Sequence, residues 1–201
     1  DIGHVFGTQG GGLAGLGEVC TGSKAQGGTG LGNPVGDPWS VDYVAHEIGH
    51  QFRGNHTFND CGSQATDGYE PGSGVTIMAY AGLCGGSNIA NNSVDQFHVY
   101  TYEEVINFVT TGSGSNCPVI TPTNNQPPAI TVPASGFHIP FQTPFELVAS
   151  ATDPDGDSLT YCWEHFDLGP QTPPNVPVQT APMFRTFAAS TDSIRNCPRI
   201  D

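Results

Sequence analysis

Cationic side chains are scarce in this 201-residue chain: five Lys and Arg stand against 19 Asp and Glu, and Lys24 is the sole lysine. With a formal charge of −14 there is no basic face to neutralise phosphates, which argues against nucleic acid as a partner. The acidity is read as solubility, or as carboxylates that hold calcium. Long apolar runs are missing too, and none approaches the roughly 20 residues of a membrane span. The opening Asp1-Ile2-Gly3-His4-Val5-Phe6 lacks the basic start and apolar stretch of a signal peptide, so an exported chain is expected to have lost its targeting segment already. No C-x-x-C pair occurs. The six cysteines, Cys20, Cys61, Cys84, Cys117, Cys162 and Cys197, are even in number and scattered, which predicts disulfides and an oxidising compartment, with buried thiols as the alternative.

Glycine and proline are plentiful, 27 and 17 residues, and favour short elements joined by turns. Residues 1–120 mix glycine-rich stretches with two helical patterns. The segment 121–128, Thr121-Pro122-Thr123-Asn124-Asn125-Gln126-Pro127-Pro128, reads as an extended linker. In residues 129–201 apolar residues alternate in short runs broken by Pro and Gly, as in small strands. There a strand at 145–152, an acidic turn and a strand at 159–163 are expected. Asp153, Asp155 and Asp157 in the turn are candidate Ca²⁺ ligands, the alternative being a hydrophilic hairpin turn.

Val41, Val44, Ala45, Ile48 and Phe52 recur at helical spacing, with Asp37 as N-cap, Pro38 at the first helical position and Gly54 as the stop. A second helix is expected through Tyr102, Val105, Ile106 and Val109, opened by a capping box of Thr101 and Glu104. Upstream, Leu13, Ala14, Gly15 and Leu16 belong to a glycine-rich stretch that reads as an edge strand able to accept a peptide, or as a plain loop.

His46-Glu47-Ile48-Gly49-His50 lies inside the first helix, where positions four apart share a face. His46 and His50 can therefore aim two imidazoles at one ion, with Glu47 beside them to take a proton from metal-activated water. The alternative is a chance helix with two surface histidines. His56, ten residues after His46 and just past Gly54, can return a third imidazole. Three nitrogen ligands and one open position make a catalytic zinc site. Glu70, the alternative third ligand, sits in a turn and is less suited.

The stretch from His46 to Phe58, HEIGHQFRGNHTF, resembles the long zinc motif of the metzincin metallopeptidases. Thr76-Ile77-Met78-Ala79-Tyr80 resembles their Met-turn, and residues 1–6 and 12–20 resemble two successive strands of the bacterial reprolysin-like branch. The resemblance covers most of residues 1–120. It implies His46, His50 and His56 as zinc ligands, Glu47 as base, Met78 beneath the metal and Tyr80 as an oxyanion or zinc contact. It also implies disulfides Cys20–Cys117 and Cys61–Cys84, leaving Cys162 and Cys197 for the second module. Arg53 stands where the family has glycine, so the turn is expected to shift by one residue onto Gly54. The match begins part-way into the family domain, as if an N-terminal portion were lacking.

The expected fold is thus an α/β (α+β) metzincin-type zinc peptidase core followed by a small all-β, sandwich-like module similar to immunoglobulin or cadherin repeats. The expected function is a secreted or extracellular zinc endopeptidase, exported in the bacterial manner and acting on protein or peptide. The alternative is a zinc-containing binding or structural surface protein without turnover. The β module is a candidate for binding a glycan or a cell-surface protein.

Overall fold

The computed structural model describes residues 1–133, 136, 138–176 and 178–199. Two compact units divide the chain: Asp1–Val119 with Glu164–Phe187, and Ile120–Trp163 with the residues from Ala188 on. The expected boundary near residue 125 thus misses one feature. The chain returns to the first unit at Glu164 and leaves it again after Phe187.

In the first unit, β1 (Val5–Gly7) pairs in parallel with β3 (Gly27–Gly30), and β2 (Gly11–Ala14) pairs with β3 antiparallel. The order β1-β3-β2 leaves β2 at an edge. Leu13 and Ala14 lie in that strand, whereas Gly15 and Leu16 fall beyond its end. β3 reads Gly-Gly-Thr-Gly and has no apolar alternation to announce it. Its glycines are there for close approach. A Cβ on Gly27 would stand 2.7 Å from both Gln51 Cδ and His4 Nδ1. Gln51 is fully buried, bonds His4 Nδ1 at 2.9 Å and donates to Gly3 O at 3.0 Å, tying the helix that carries it to the sheet.

That helix begins as a π-helical stretch, Pro38–Ala45, and continues as α1, His46–Gln51. Pro38 opens it as expected, but Asp37 has helical dihedrals and makes no side-chain cap. The buried positions of α1 are His46, Glu47, Gly49 and Gln51, while the apolar Ile48 and Phe52 are half-buried. The chemical face, not the apolar one, points inward. After α1 the chain turns at Arg53, whose φ is 77°. Arg53 N donates to His50 O and Gly54 N to Gly49 O, both at 2.8 Å, the paired bonds of a Schellman cap. The expected shift of the turn onto Gly54 does not occur. Gly54 is needed as glycine for another reason: a Cβ there would sit 3.0 Å from Thr101 Cγ2 and 3.2 Å from Gly49 O.

The second helix, α2, spans Val99–Thr110 and is capped by His98, whose Nδ1 accepts from Tyr100 N at 3.2 Å. The Thr101–Glu104 capping box is not formed. Thr101 is buried inside the helix, and Glu104 instead accepts from Asn55 N at 2.9 Å and from the Asn55 amide. Thr101 and Phe108 form the buried face, and Tyr102 and Ile106 are exposed. Disulfides Cys20–Cys117 and Cys61–Cys84 close this unit, with Cα separations of 5.4 and 4.6 Å.

The returning segment Glu164–Phe187 is stitched to the loop that follows the third histidine. Thr172 N donates to Asn59 Oδ1 at 2.9 Å, Gln64 Nε2 to Gly169 O at 2.6 Å, and Phe166 stacks on Tyr69 with centroids 5.1 Å apart. Buried polar residues outnumber buried apolar ones here, so side-chain to backbone bonding does much of the work of a core.

The second unit contains β4 (Ala129–Thr131) paired with β6 (Ser150–Thr152), and β5 (Phe145–Val148) paired with β7 (Ile194–Cys197), both antiparallel. The expected hairpin between 145–152 and 159–163 is replaced by this pairing, and residues 159–163 make a single bridge, Tyr161 to Ser190. Cys197 is buried in β7 opposite Phe145, and Cys162 is exposed; both are thiols, not the third disulfide expected from the sequence. No helix among the described residues is long and apolar enough to cross a membrane.

Candidate metal centre and active site

α1 places His46 and His50 one turn apart, and the Arg53 turn brings His56 back against them. Two contacts join the rings. His56 Nε2 lies 3.2 Å from His46 Nε2 and 3.0 Å from His50 Nε2. On the far side of the rings, His46 Nδ1 donates to Ile77 O and His50 Nδ1 to Gly54 O, each at 2.7 Å. A carbonyl only accepts, so these bonds assign the protons to Nδ1 and leave the Nε2 lone pairs turned toward His56. A neutral His56 has at most one Nε2 proton to offer against two acceptors. Nitrogens held about 2.05 Å from a tetrahedral zinc ion stand about 3.3 Å apart, close to the separations seen. The three side chains form the one group of three or more His, Cys, Asp or Glu among the described residues whose ligand atoms converge, all within 4.8 Å. The donor set fits zinc.

Burial keeps the imidazoles neutral and ready to ligate. His46 is lowered to about 4 by burial and by the neighbouring His50, against the raising effect of its bond to Ile77. His56 is lowered to about 3 by burial and by His50 and His46, and His50 is lowered by burial.

The Met-turn lies directly beneath. Met78 is fully buried, its carbonyl accepts from Thr57 N at 3.1 Å, and its sulfur occupies the space that a Cβ on Gly49 would take. Glycine between the two helical ligands is therefore a packing requirement. Tyr80 closes one side, its ring 4.5 Å from His56 and 5.6 Å from His46, and stacked on Phe58 at 4.7 Å. Burial and the carboxylate of Glu47 raise its phenol.

Glu47 is buried against the edge strand. A Cβ on Gly12 would overlap its carboxylate and come within 2.5 Å of Cδ, so Gly12 in β2 makes the room that Glu47 occupies. Burial lifts this carboxyl to about 7. His46, Glu47 and Tyr80 open onto one cleft of about 430 Å³, which Gly11, Gly12, Asp42 and Ala79 also line.

Two carboxylates hold the neighbours of His56 on either side. Glu104 binds Asn55, immediately before His56. Glu70, weighed only as a ligand, is fully buried and accepts from Thr57 Oγ1 at 2.6 Å, Thr76 Oγ1 at 2.5 Å, Val75 N at 2.9 Å and Thr76 N at 3.1 Å. It ties the loop after His56 to the Met-turn. Nothing periodic marks such a pairing in the chain. Its one signal is a glutamate beside proline and glycine in a segment with no surface charge pattern.

The aspartates of the second unit do not converge. Asp153 Oδ1 accepts from Asp155 N at 2.8 Å and Asp157 N at 3.2 Å, and Asp155 Oδ2 accepts from Gln126 N at 2.6 Å. These carboxylates bond the backbone of their own turn and of Gln126.

A family model of the reprolysin-like metallopeptidases of family M12B matches residues 1–106. No curated protein matches the chain, and no solved structure does.

Proposed function

Since the chain belongs to the M12B reprolysin-like metallopeptidases, we propose that it is a secreted zinc endopeptidase that hydrolyses internal peptide bonds of proteins. The observation that carries this reading is the convergence of three imidazole nitrogens beside a cleft that also contains a buried glutamate. His46, His50 and His56 would hold the ion, oriented by the carbonyls of Ile77 and Gly54. A zinc ion bound there supplies Lewis acidity, polarising a carbonyl and bringing the pKa of water to about 7.

The remaining roles fall to the chain itself. Glu47 accepts a proton from the attacking water and passes it to the leaving amine, a task suited to a carboxyl poised near 7. Gly12 keeps that carboxylate in place. Tyr80, on the cleft wall, donates its hydroxyl to the developing oxyanion. The open edge of β2 pairs with the extended substrate, Leu13 and Ala14 offering their backbone. Two disulfides favour an oxidising, extracellular compartment.

The test is metal content by mass spectrometry together with casein hydrolysis, with and without a zinc chelator. One zinc per chain, chelator-sensitive cleavage and loss of at least about a thousandfold in Glu47→Ala would support the reading. Zinc without chelator-sensitive cleavage would turn it into a zinc-containing binding protein.

A further inference from the structure

Resting on the peptidase reading, we infer that the cleft beside the histidines selects a lysine or arginine side chain of the substrate, with Asp42 as its counter-charge. Asp42 lies four residues before His46 on the continuous helical run from Pro38 to Gln51, so it occupies the same face one turn toward the helix start. Asp42, Tyr43, His46 and Glu47 all line the same cleft. A peptide whose scissile carbonyl meets the histidines and Glu47 places a neighbouring side chain along this face, and one turn of helix matches a three- or four-carbon stem ending in a cation.

The walls suit such a stem. Leu31, Pro38, Ala81 and Leu83 are apolar, and the charged lining residues are Asp42 and Glu47, with no lysine or arginine among them. Asp42 itself is fixed and aimed. Ser93 N donates to its Oδ1 at 2.8 Å, and the Asn92 amide is placed to donate to its Oδ2 at 3.0 Å. Ser93 also donates through its side chain, so of the roughly four hydrogen bonds a carboxylate accepts, about one stays available for a guanidinium or an ammonium. Burial raises this carboxyl against the lowering effect of the Ser93 hydrogen bonds, Asp37 raises it further, and the groups acting on it include no counter-charge. A substrate cation supplies one. A leucine of similar length fills the same volume and leaves the charge buried and uncompensated.

The experiment uses the full zinc-loaded chain and pairs of fluorogenic peptides that differ only in lysine, arginine, norleucine or leucine on the leaving-group side of the scissile bond. The expected result is kcat/KM at least tenfold higher for the cationic members, falling toward parity in Asp42→Asn and weakening with rising salt in the wild type. A parallel arm measures equilibrium binding of the same peptides to Glu47→Ala by fluorescence anisotropy, expecting the same order. Cleavage without cationic preference, or equal binding of lysine and norleucine peptides, overturns the inference and leaves the peptidase reading standing. Absence of all cleavage with preserved cationic preference in binding defeats the peptidase reading instead. Should Asp42→Asn fail to fold, the wild-type ratio and its salt dependence decide the matter alone.

Discussion

Glu70 offers the sharpest test of how the site is held. Its carboxylate is fully buried and serves four donors, the amides of Val75 and Thr76 and the hydroxyls of Thr57 and Thr76. In Glu70→Ala both hydroxyls can rotate, but the two amides are fixed by the backbone and lose their partner. At about 1–3 kcal/mol for each buried donor left unsatisfied, plus the cavity, the cost is on the order of 4 kcal/mol. A domain of this size loses about 2–4 °C per kcal/mol, so the melting temperature should fall by roughly 10 °C. Glu70→Gln behaves differently. Its remaining oxygen can face the two amides while its NH₂ group donates to hydroxyls turned to accept, and the cost should be near 1 kcal/mol. Because Thr57 follows His56 and Thr76 leads into Met78, the alanine variant should also bind zinc at least about tenfold more weakly. Urea and thermal unfolding of the chelated protein, with competitive zinc titration, reads both effects. An alanine variant melting within about 2 °C of wild type, or a glutamine variant as damaged as alanine, would refute the reasoning.

Arg53 holds φ at 77° where a residue with a Cβ pays about 1 kcal/mol, so Arg53→Gly should raise the melting temperature by about 2–4 °C with zinc affinity unchanged; a lower melting temperature would mean that the side chain contributes more than the strain costs. Gly12→Ala should displace the Glu47 carboxylate, the flexible partner in the overlap, lowering kcat at least tenfold while zinc content and folding hold; unaltered kcat would show that β2 yields instead. In chelated protein the lowered histidines, His46, His50 and His56, titrate in opposition to the raised Glu47. The His46 ring, lowered from 6.5 to about 4, resists the proton that the unfolded chain takes up, so acidification across that window destabilises the fold by about 3 kcal/mol. Glu47, raised from 4.5 to about 7, binds its proton earlier when folded and offsets that loss over nearly the same range. Glu47→Gln removes the offset, so its urea stability should fall about 3 kcal/mol further than wild type between pH 7 and 4.5, and parallel pH profiles would contradict the assignment.

The convergence of His46, His50 and His56 was legible in the chain because its information is local. His50 stands four residues after His46, about one helical turn, and His56 follows after a turn short enough to come back. The cysteine pairings of the first unit followed from the family resemblance, and they formed. Other local rules failed where long-range contacts offered more. Glu104 left its expected capping box for Asn55, Thr101 went inside the helix, and the left-handed turn stayed on Arg53, while Thr101 and the Gly49 carbonyl leave no room for a Cβ at Gly54.

What the chain determined by itself is the cluster: three imidazoles and a glutamate at spacings that one helix and one turn bring together. Tertiary structure alone decided the setting, namely the glycine of β2 that makes room for Glu47, the buried Glu70 clamp, the Asp42 cleft and the return of residues 164–187 to the first unit. The physical reason is range. A helical face is set by neighbours three and four residues away, whereas a buried hydrogen bond joins residues whose separation carries no period and exists only once both backbones have been brought together.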